Sequence, residues 1–231
     1  MFINRCSWDQ LTRFANTSRI VPPIDRRVPL AITIYDINTF YNLNPTTVLE
    51  KVQEDHGSKE LADRWNATDR KTEADRNQFY KEAIEYIYDL CWFNGVESTV
   101  IQYNRIIDFC RRKHCHKILD FGAGVGTLVL LLNKVGIYTD YFDLSGVLSE
   151  FATYRFEKHK IENKVLLDDF DSLSETYDLI ITYDVLEHLS NPLLWVKKMK
   201  SKLNKNAYMF LVVPFACVGE DHPMHLKENL N

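Results

Sequence analysis

The run Lys117-Ile118-Leu119-Asp120-Phe121-Gly122-Ala123-Gly124-Val125-Gly126-Thr127 decides the fold. Its first five residues read as a short buried strand, and from Gly126 to Val135 the apolar spacing is helical, closed by Gly136. The glycines between them let the backbone turn sharply and let a ligand approach closely, because no Cβ stands in the way. The helix that follows opens with unpaired backbone N–H groups, which favour a polar ligand at its start.

Downstream the same alternation repeats. Residues 138–142 read as a second strand and 145–158 as a helix, with a third strand at 164–167 and a fourth at 177–183. The core of the fourth, Leu179-Ile180-Ile181, is the unbroken apolar run that a doubly covered parallel strand requires. Asn191-Pro192 starts another helix, and residues 208–213 form a fifth strand ended by Pro214. Strands alternating with helices imply βαβ units, hence an α/β parallel sheet with helices on both faces.

Upstream of residue 115 the texture is mostly helical. Val21-Pro22-Pro23 is a breaker, Asn44-Pro45 starts a helix, and long helices are expected over 72–92 and 99–112. Residues 36–52 have the outline of a helix-turn-helix without a basic recognition face, so a helical hairpin is the better reading. The chain divides into a helical region, 1–114, and a ligand-binding sheet domain, 115–231.

Composition narrows the function. With 231 residues, 45% hydrophobic and 26% charged, the chain is an ordinary globular protein rather than a disordered one. A net charge of -4 supplies no field to gather nucleic acid, and the local basic runs Arg111-Arg112-Lys113 and Lys197-Lys198 read as solvated helix faces. Cys6, Cys91, Cys110, Cys115 and Cys217 are scattered without CxxC spacing, which fits free thiols in a reducing compartment. Met1-Phe2-Ile3-Asn4-Arg5 leads into polar sequence without a signal peptide, and no apolar run is long enough to span a bilayer. The expected location is cytoplasmic, with no membrane partner.

In an open parallel sheet the ligand sits beyond the carboxyl ends of the strands. The second strand ends at Asp143, about twenty residues past the glycine loop, where a carboxylate can accept hydrogen bonds from ribose hydroxyls. Loop and acid together indicate a nucleoside-containing ligand. A dinucleotide fingerprint would need glycine where Thr127 stands, and Asp120 would repel a pyrophosphate. Beside a cationic amino group and a sulfonium the same charge is favourable, so the residues prefer S-adenosylmethionine to NAD.

The motifs at 118–126, 141–145 and 177–181, with Asp184-Val185-Leu186-Glu187-His188-Leu189-Ser190-Asn191-Pro192 after them, resemble the class I S-adenosylmethionine-dependent methyltransferases, in particular the ubiquinone-type O-methyltransferase branch. The resemblance covers about 117–214 and implies a Rossmann-like domain that transfers a methyl group to a small-molecule oxygen or nitrogen acceptor. It implies that Gly122 and Gly124 line the methionine and ribose portion, that Asp120 supports the amino group, and that Asp143 holds the ribose with Leu144 on the adenine. Asp169 and Phe170 match the acid and ring neighbour of the adenine, with Asp168 the competitor if the register slips by one. Tyr183 and Asp184 would face the methionine end and the acceptor. His188 is the first candidate for a general base, with His222 and His225 behind it, because an imidazole titrates near neutrality.

No metal is assigned in this reading. A rival does use one: Asp184, Glu187 and His188 with His222 or His225 resemble the spacing of metal-dependent small-RNA 2′-O-methyltransferases. A nicotinamide-dependent oxidoreductase and a non-catalytic scaffold of the same fold also compete with it. The helical region is expected to act as a lid that sets acceptor specificity, with Tyr80, Tyr86, Tyr88, Trp92 and Tyr103 either pocket or core. The superfamily's terminal strand hairpin has no counterpart after Pro214. Either this is a truncated variant whose exposed sheet edge is covered by the helical region or by a partner chain such as a second copy, or the sequence is a fragment.

Overall fold

The computed structural model describes residues 23–25, 27–54, 58–217, 219 and 222–230. The readings placed on Met1–Arg5, on Cys6 and on Val21-Pro22 lie outside them. Among the described residues six helices come first: α1 (Arg27–Tyr41), α2 (Pro45–Glu54), α3 (Ser58–Ala67), α4 (Glu73–Glu82), α5 (Glu85–Phe93) and α6 (Glu97–Lys113). Asn44 caps α2 by accepting from the Thr46 N–H at 2.8 Å, in keeping with the Asn-Pro start signal.

The helix expected over 72–92 is two helices. Thr72 and Asp75 form a capping box at the start of α4, and the chain leaves helical geometry at Ala83, where ψ is 85°. The reason lies in the packing. Phe79 and Ala83 pack against Leu61 and Trp65, whereas Ile87 and Cys91 join a different core with Ile37, Val48 and Phe151. One straight helix cannot serve both.

Five parallel strands follow, β1 (Lys117–Phe121), β2 (Tyr138–Asp143), β3 (Val165–Leu167), β4 (Tyr177–Tyr183) and β5 (Leu203–Val212), in the order β3-β2-β1-β4-β5. Between them run α7 (Thr127–Lys134), α8 (Val147–Lys158) and α9 (Pro192–Ser201). β1 is buried on both faces. Ile118 points to a core shared with α6 and α7, and Leu119 to a second core beneath α9. Burying such a side chain is worth roughly 1.5–3 kcal/mol, so the continuous apolar runs are what hold the sheet between its helical layers.

The strand order reverses between β1 and β4. Phe121 is in register with Phe142 on one side and Thr182 on the other, so the tips of β1, β2 and β4 end at one level. Among the described residues no strand follows β5, whose face is packed by Phe109 of α6 against Tyr208 and Phe210. The chain instead folds back. A short 3-10 turn, Lys227–Leu230, lies beside another at Leu186–His188, with Leu226 N–H donating to the Glu187 carbonyl at 3.0 Å. Among the described residues no helix is long and apolar enough to cross a membrane.

Candidate functional site

A cavity of about 1010 Å³ lies above the tips of β1, β2 and β4, roofed by α4 and α5. Gly122, Gly124 and Gly126 all hold positive φ, at 73°, 53° and 70°, a region that side chains with a Cβ avoid. A Cβ at Gly122 would meet Val185 at 2.4 Å, and one at Gly124 would meet Leu90 at 2.8 Å. The protein's own walls therefore demand these glycines, in addition to any ligand.

Asp143 clamps this loop. One oxygen accepts from the Gly124 N–H and the other from the Leu144 N–H, each at 2.7 Å. Each oxygen keeps a second lone pair for a ligand hydroxyl. Burial pushes the carboxyl up to about 6, with the two N–H groups pulling the other way and Asp168 adding to the rise. Asp120, at the tip of β1, is pushed up to about 8, first by burial and then by the charge of Asp143. Two carboxylates crowded in this way favour an incoming cation.

Beyond β3 the structure sends the two acids Asp168 and Asp169 apart. Asp168 lines the cavity, accepting from the Ser145 N–H at 3.1 Å and pairing with Lys81 of α4 at 2.8 Å. Asp169 turns away to accept from the Ser172 N–H, and Phe170 is buried among Phe121, Phe142 and Trp195. Neither Asp169 nor Phe170 lines the cavity, whereas Leu144 does. The positive φ of Asp168, 61°, makes the turn that sends the two acids in different directions.

Tyr183 and Asp184 sit at the tip of β4 and line the cavity, Tyr183 against the rings of Phe93 and Tyr103. Burial pushes Asp184 up to about 6. The polar residues that follow suggest an open loop. They form instead the short turn Leu186–His188, and Glu187 is only 1% exposed, with neither carboxylate oxygen hydrogen-bonded among the described residues. Burial pushes Glu187 up to about 8. Its concealment comes from the returning segment 222–230, which no local pattern around Glu187 announces.

His188 is held firmly. Its Nδ1 lies 3.1 Å from the Met224 carbonyl oxygen and 3.2 Å from the Tyr80 hydroxyl; the carbonyl can only accept and the hydroxyl can do either, so a ring hydrogen on Nδ1 serves both and leaves Nε2 its lone pair. That Nε2 is 4.0 Å from a Glu187 oxygen, and the His225 Nε2 is 3.9 Å from the same oxygen. The His225 Nδ1 likewise faces the Cys217 carbonyl. Burial, then His225, pushes His188 down to about 4, below the near-neutral titration that makes a histidine the natural base. The exposed His222 stacks on His225. Glu187, His188 and His225 thus bring ligand atoms within 4.8 Å of one another, a set that suits a divalent ion of borderline softness.

The comparisons with known proteins fall on the same region. A family model described as a methyltransferase domain matches residues 97–229, more than half of the chain. The chain is 27% identical over 145 residues to a ubiquinone biosynthesis O-methyltransferase of Pelagibacter ubique, covering 56% of this chain and 60% of that one. It is 29% identical over 132 residues to an (S)-coclaurine N-methyltransferase of Thalictrum flavum, covering 52% and 36%. It therefore spans less than two thirds of either relative. Among solved structures, an S-adenosylmethionine-dependent methyltransferase from Clostridium acetobutylicum superimposes with a TM-score of 0.47 at 20% identity, covering 56% of this chain and 55% of that one. The matched segment begins at α6 and contains the glycine loop, Asp143 and the β4 tip, and on that match the chain belongs to the methyltransferase domain family, whose cofactor is S-adenosylmethionine.

Proposed function

We propose that this protein transfers the methyl group of S-adenosylmethionine to an oxygen or nitrogen atom of a small organic acceptor. One observation carries the reading: a cavity of about 1010 Å³ runs from Asp120 and Asp143 to Tyr183, Asp184 and His188 under a helical roof. Ligand pockets commonly measure ~300–1,000 Å³, so this one has room for a nucleoside cofactor and a second small molecule together. The roof and the acidic lining of Asp120, Asp143, Asp168 and Asp184 disfavour a polyanionic acceptor.

When bound, the cofactor supplies the methyl group and the leaving group. In this reading Asp143 accepts the ribose hydroxyls on its spare lone pairs, Asp120 neutralises the amino group, and Leu144 packs on the adenine. Asp168 takes the place that the sequence offers to Asp169. Asp184 and His188 receive the acceptor's proton, and a carboxylate at about 6 holds it more tightly than an imidazole at about 4, so Asp184 carries the larger share. Tyr183 and the roof exclude water and align the acceptor. The buried free thiols Cys91, Cys110 and Cys115 support a cytoplasmic location.

The test is adenosylhomocysteine release from adenosylmethionine across a panel of phenols, catechols, carboxylic acids and amines, with calorimetry for cofactor binding. Release with at least one acceptor is expected. A chain that neither binds the cofactor nor turns over any of them sinks the reading.

A metal-assisted variant is favoured by one specific observation, the unpartnered oxygens of Glu187 facing two imidazole lone pairs. There Glu187, His188 and His225 would hold the ion, with the Met224 and Cys217 carbonyls fixing the two rings from behind. Titrating Mn²⁺ or Zn²⁺ into chelator-treated protein decides it. Binding that His225→Ala abolishes supports the variant, and absence of binding removes it.

A further inference from the structure

The helices before α6 lie outside the matched family segment, yet α1 is tied to the loop after β1 through Arg155, a side chain from inside that segment. Arg155 of α8 is fully buried, and each of its three guanidinium nitrogens donates a hydrogen bond. Nε donates to Asp36 of α1 at 2.8 Å. Nη1 donates to the Val125 carbonyl at 2.5 Å and to the Thr127 hydroxyl at 2.8 Å, and Nη2 donates to Thr33 of α1 at 3.1 Å. Asp36 is itself fully buried and also pairs with Lys158 and His159. Asn94, at the end of α5, adds a 2.8 Å bond to the same Thr127 hydroxyl and is held by the Tyr103 hydroxyl at 2.8 Å.

We propose that Arg155 is a positioning residue for the cofactor loop: anchored by Asp36, it fixes the Val125–Gly126 peptide and so sets the loop shape that meets S-adenosylmethionine. The argument is conformational. Gly124 and Gly126 both occupy the positive-φ region and lower the cost of turning the peptide between them. Its orientation is chosen by what each end finds. The Gly126 N–H donates to the Ala123 carbonyl at 2.8 Å, and the Val125 carbonyl, buried away from water, has the guanidinium. Arginine suits this task because its planar fork serves several acceptors in fixed directions, which a lysine cannot do. Helix α1 thereby supports the loop from behind, since none of its residues lines the cavity.

This inference rests on the methyl-transfer reading for the ligand's identity but not for the loop's geometry, and the experiment separates the two. Arg155→Met leaves the buried Asp36 carboxylate with Lys158 and His159 alone and is expected to lower the thermal midpoint. The pair Asp36→Leu with Arg155→Met removes the two fully buried charges, an exchange that buried ion pairs commonly tolerate, and leaves the partly exposed Lys158 to turn to water. Its midpoint is expected to return near that of the parent. Amide exchange at residues 122–127 should nevertheless stay about tenfold faster, and adenosylhomocysteine affinity about tenfold weaker, which is what a lost charge-assisted hydrogen bond is worth. A merely structural clasp would restore all three readings together, and that result overturns the proposal. Should the double variant not fold, Arg155→Lys keeps the pair with Asp36 while losing the fork. Faster loop exchange supports the proposal, and parental exchange overturns it. If the parent chain binds no adenosylhomocysteine, the methyl-transfer reading falls, while the exchange comparison still decides this one.

Discussion

The two ends of the cavity are built on opposite terms. At the β2 end Asp143 is met by the Gly124 and Leu144 N–H groups, and Asp168 by Ser145 and Lys81. At the β4 end Glu187 is more deeply buried, and its carboxylate has no hydrogen-bond partner among the described residues. A satisfied site is rigid before its ligand arrives, which suits a ligand that is the same in every turnover. A buried acceptor left unpaired costs stability and persists where function uses it. In the proposed reading the constant partner occupies the first end and the chemistry takes place at the other.

The largest expected effect breaks the first end. Asp143→Ala removes two charge-assisted hydrogen bonds and should weaken adenosylmethionine binding by roughly 100-fold or more. His225→Ala, at the opposite end, should leave that affinity within about threefold. Calorimetry on both variants checks the contrast, and equal losses would erase it.

Glu187→Met tests the other end through stability. The Glu187 carboxyl in the fold sits at about 8, above its ordinary 4.5, so its cost is absent at low pH and grows as pH rises through that interval. The variant should therefore gain about 1–3 kcal/mol near pH 9 and little near pH 4, read by chemical denaturation. On the metal-assisted reading, turnover should be lost in Glu187→Met as well.

A third prediction sharpens the electrostatics of the first end. Asp143 at about 6 and Asp120 at about 8 must both be ionised to favour a cationic ligand. Cofactor affinity should climb between about pH 6 and about pH 8.5, by up to roughly tenfold per group. In Asp120→Asn the upper part of that climb should vanish.

The smallest effects test the register and the roof. Asp168→Ala should raise the cofactor KM a few-fold and Asp169→Ala should not change it. Lys81→Ala should cost no more than about 1 kcal/mol, since its ion pair with Asp168 is partly exposed. Steady-state kinetics on the three variants distinguishes these outcomes.

Much of the first end is legible in the sequence. The glycine loop and Asp143 are separated by one helix and one strand, and each carries its own period, so their meeting at neighbouring strand tips follows from chain order. Asp168 is harder because β3 has only three residues, and a slip of one sends an acid to the other side of the turn. The division of 72–92 is not legible, since the helical period runs through Ala83 without interruption and only the two separate cores demand the break. Glu187 is least legible. Its burial is made by residues 222–230 returning across it, a long-range event to which local pattern is blind.

The contact between Lys81 and Gly146 bears on the kinetics. A Cβ at Gly146 would stand 2.3 Å from the Lys81 carbonyl oxygen, so the end of α4 rests directly on the turn after β2, and the same lysine reaches over to Asp168. A nucleoside seated beside Leu144 would lie behind this strap, at the end of the cavity away from His188. The expected order is compulsory, with the sulfonium donor first on and its demethylated form last off, and product-inhibition patterns that are competitive only between those two. Raising solvent viscosity should slow turnover, since each departure waits for the strap to lift.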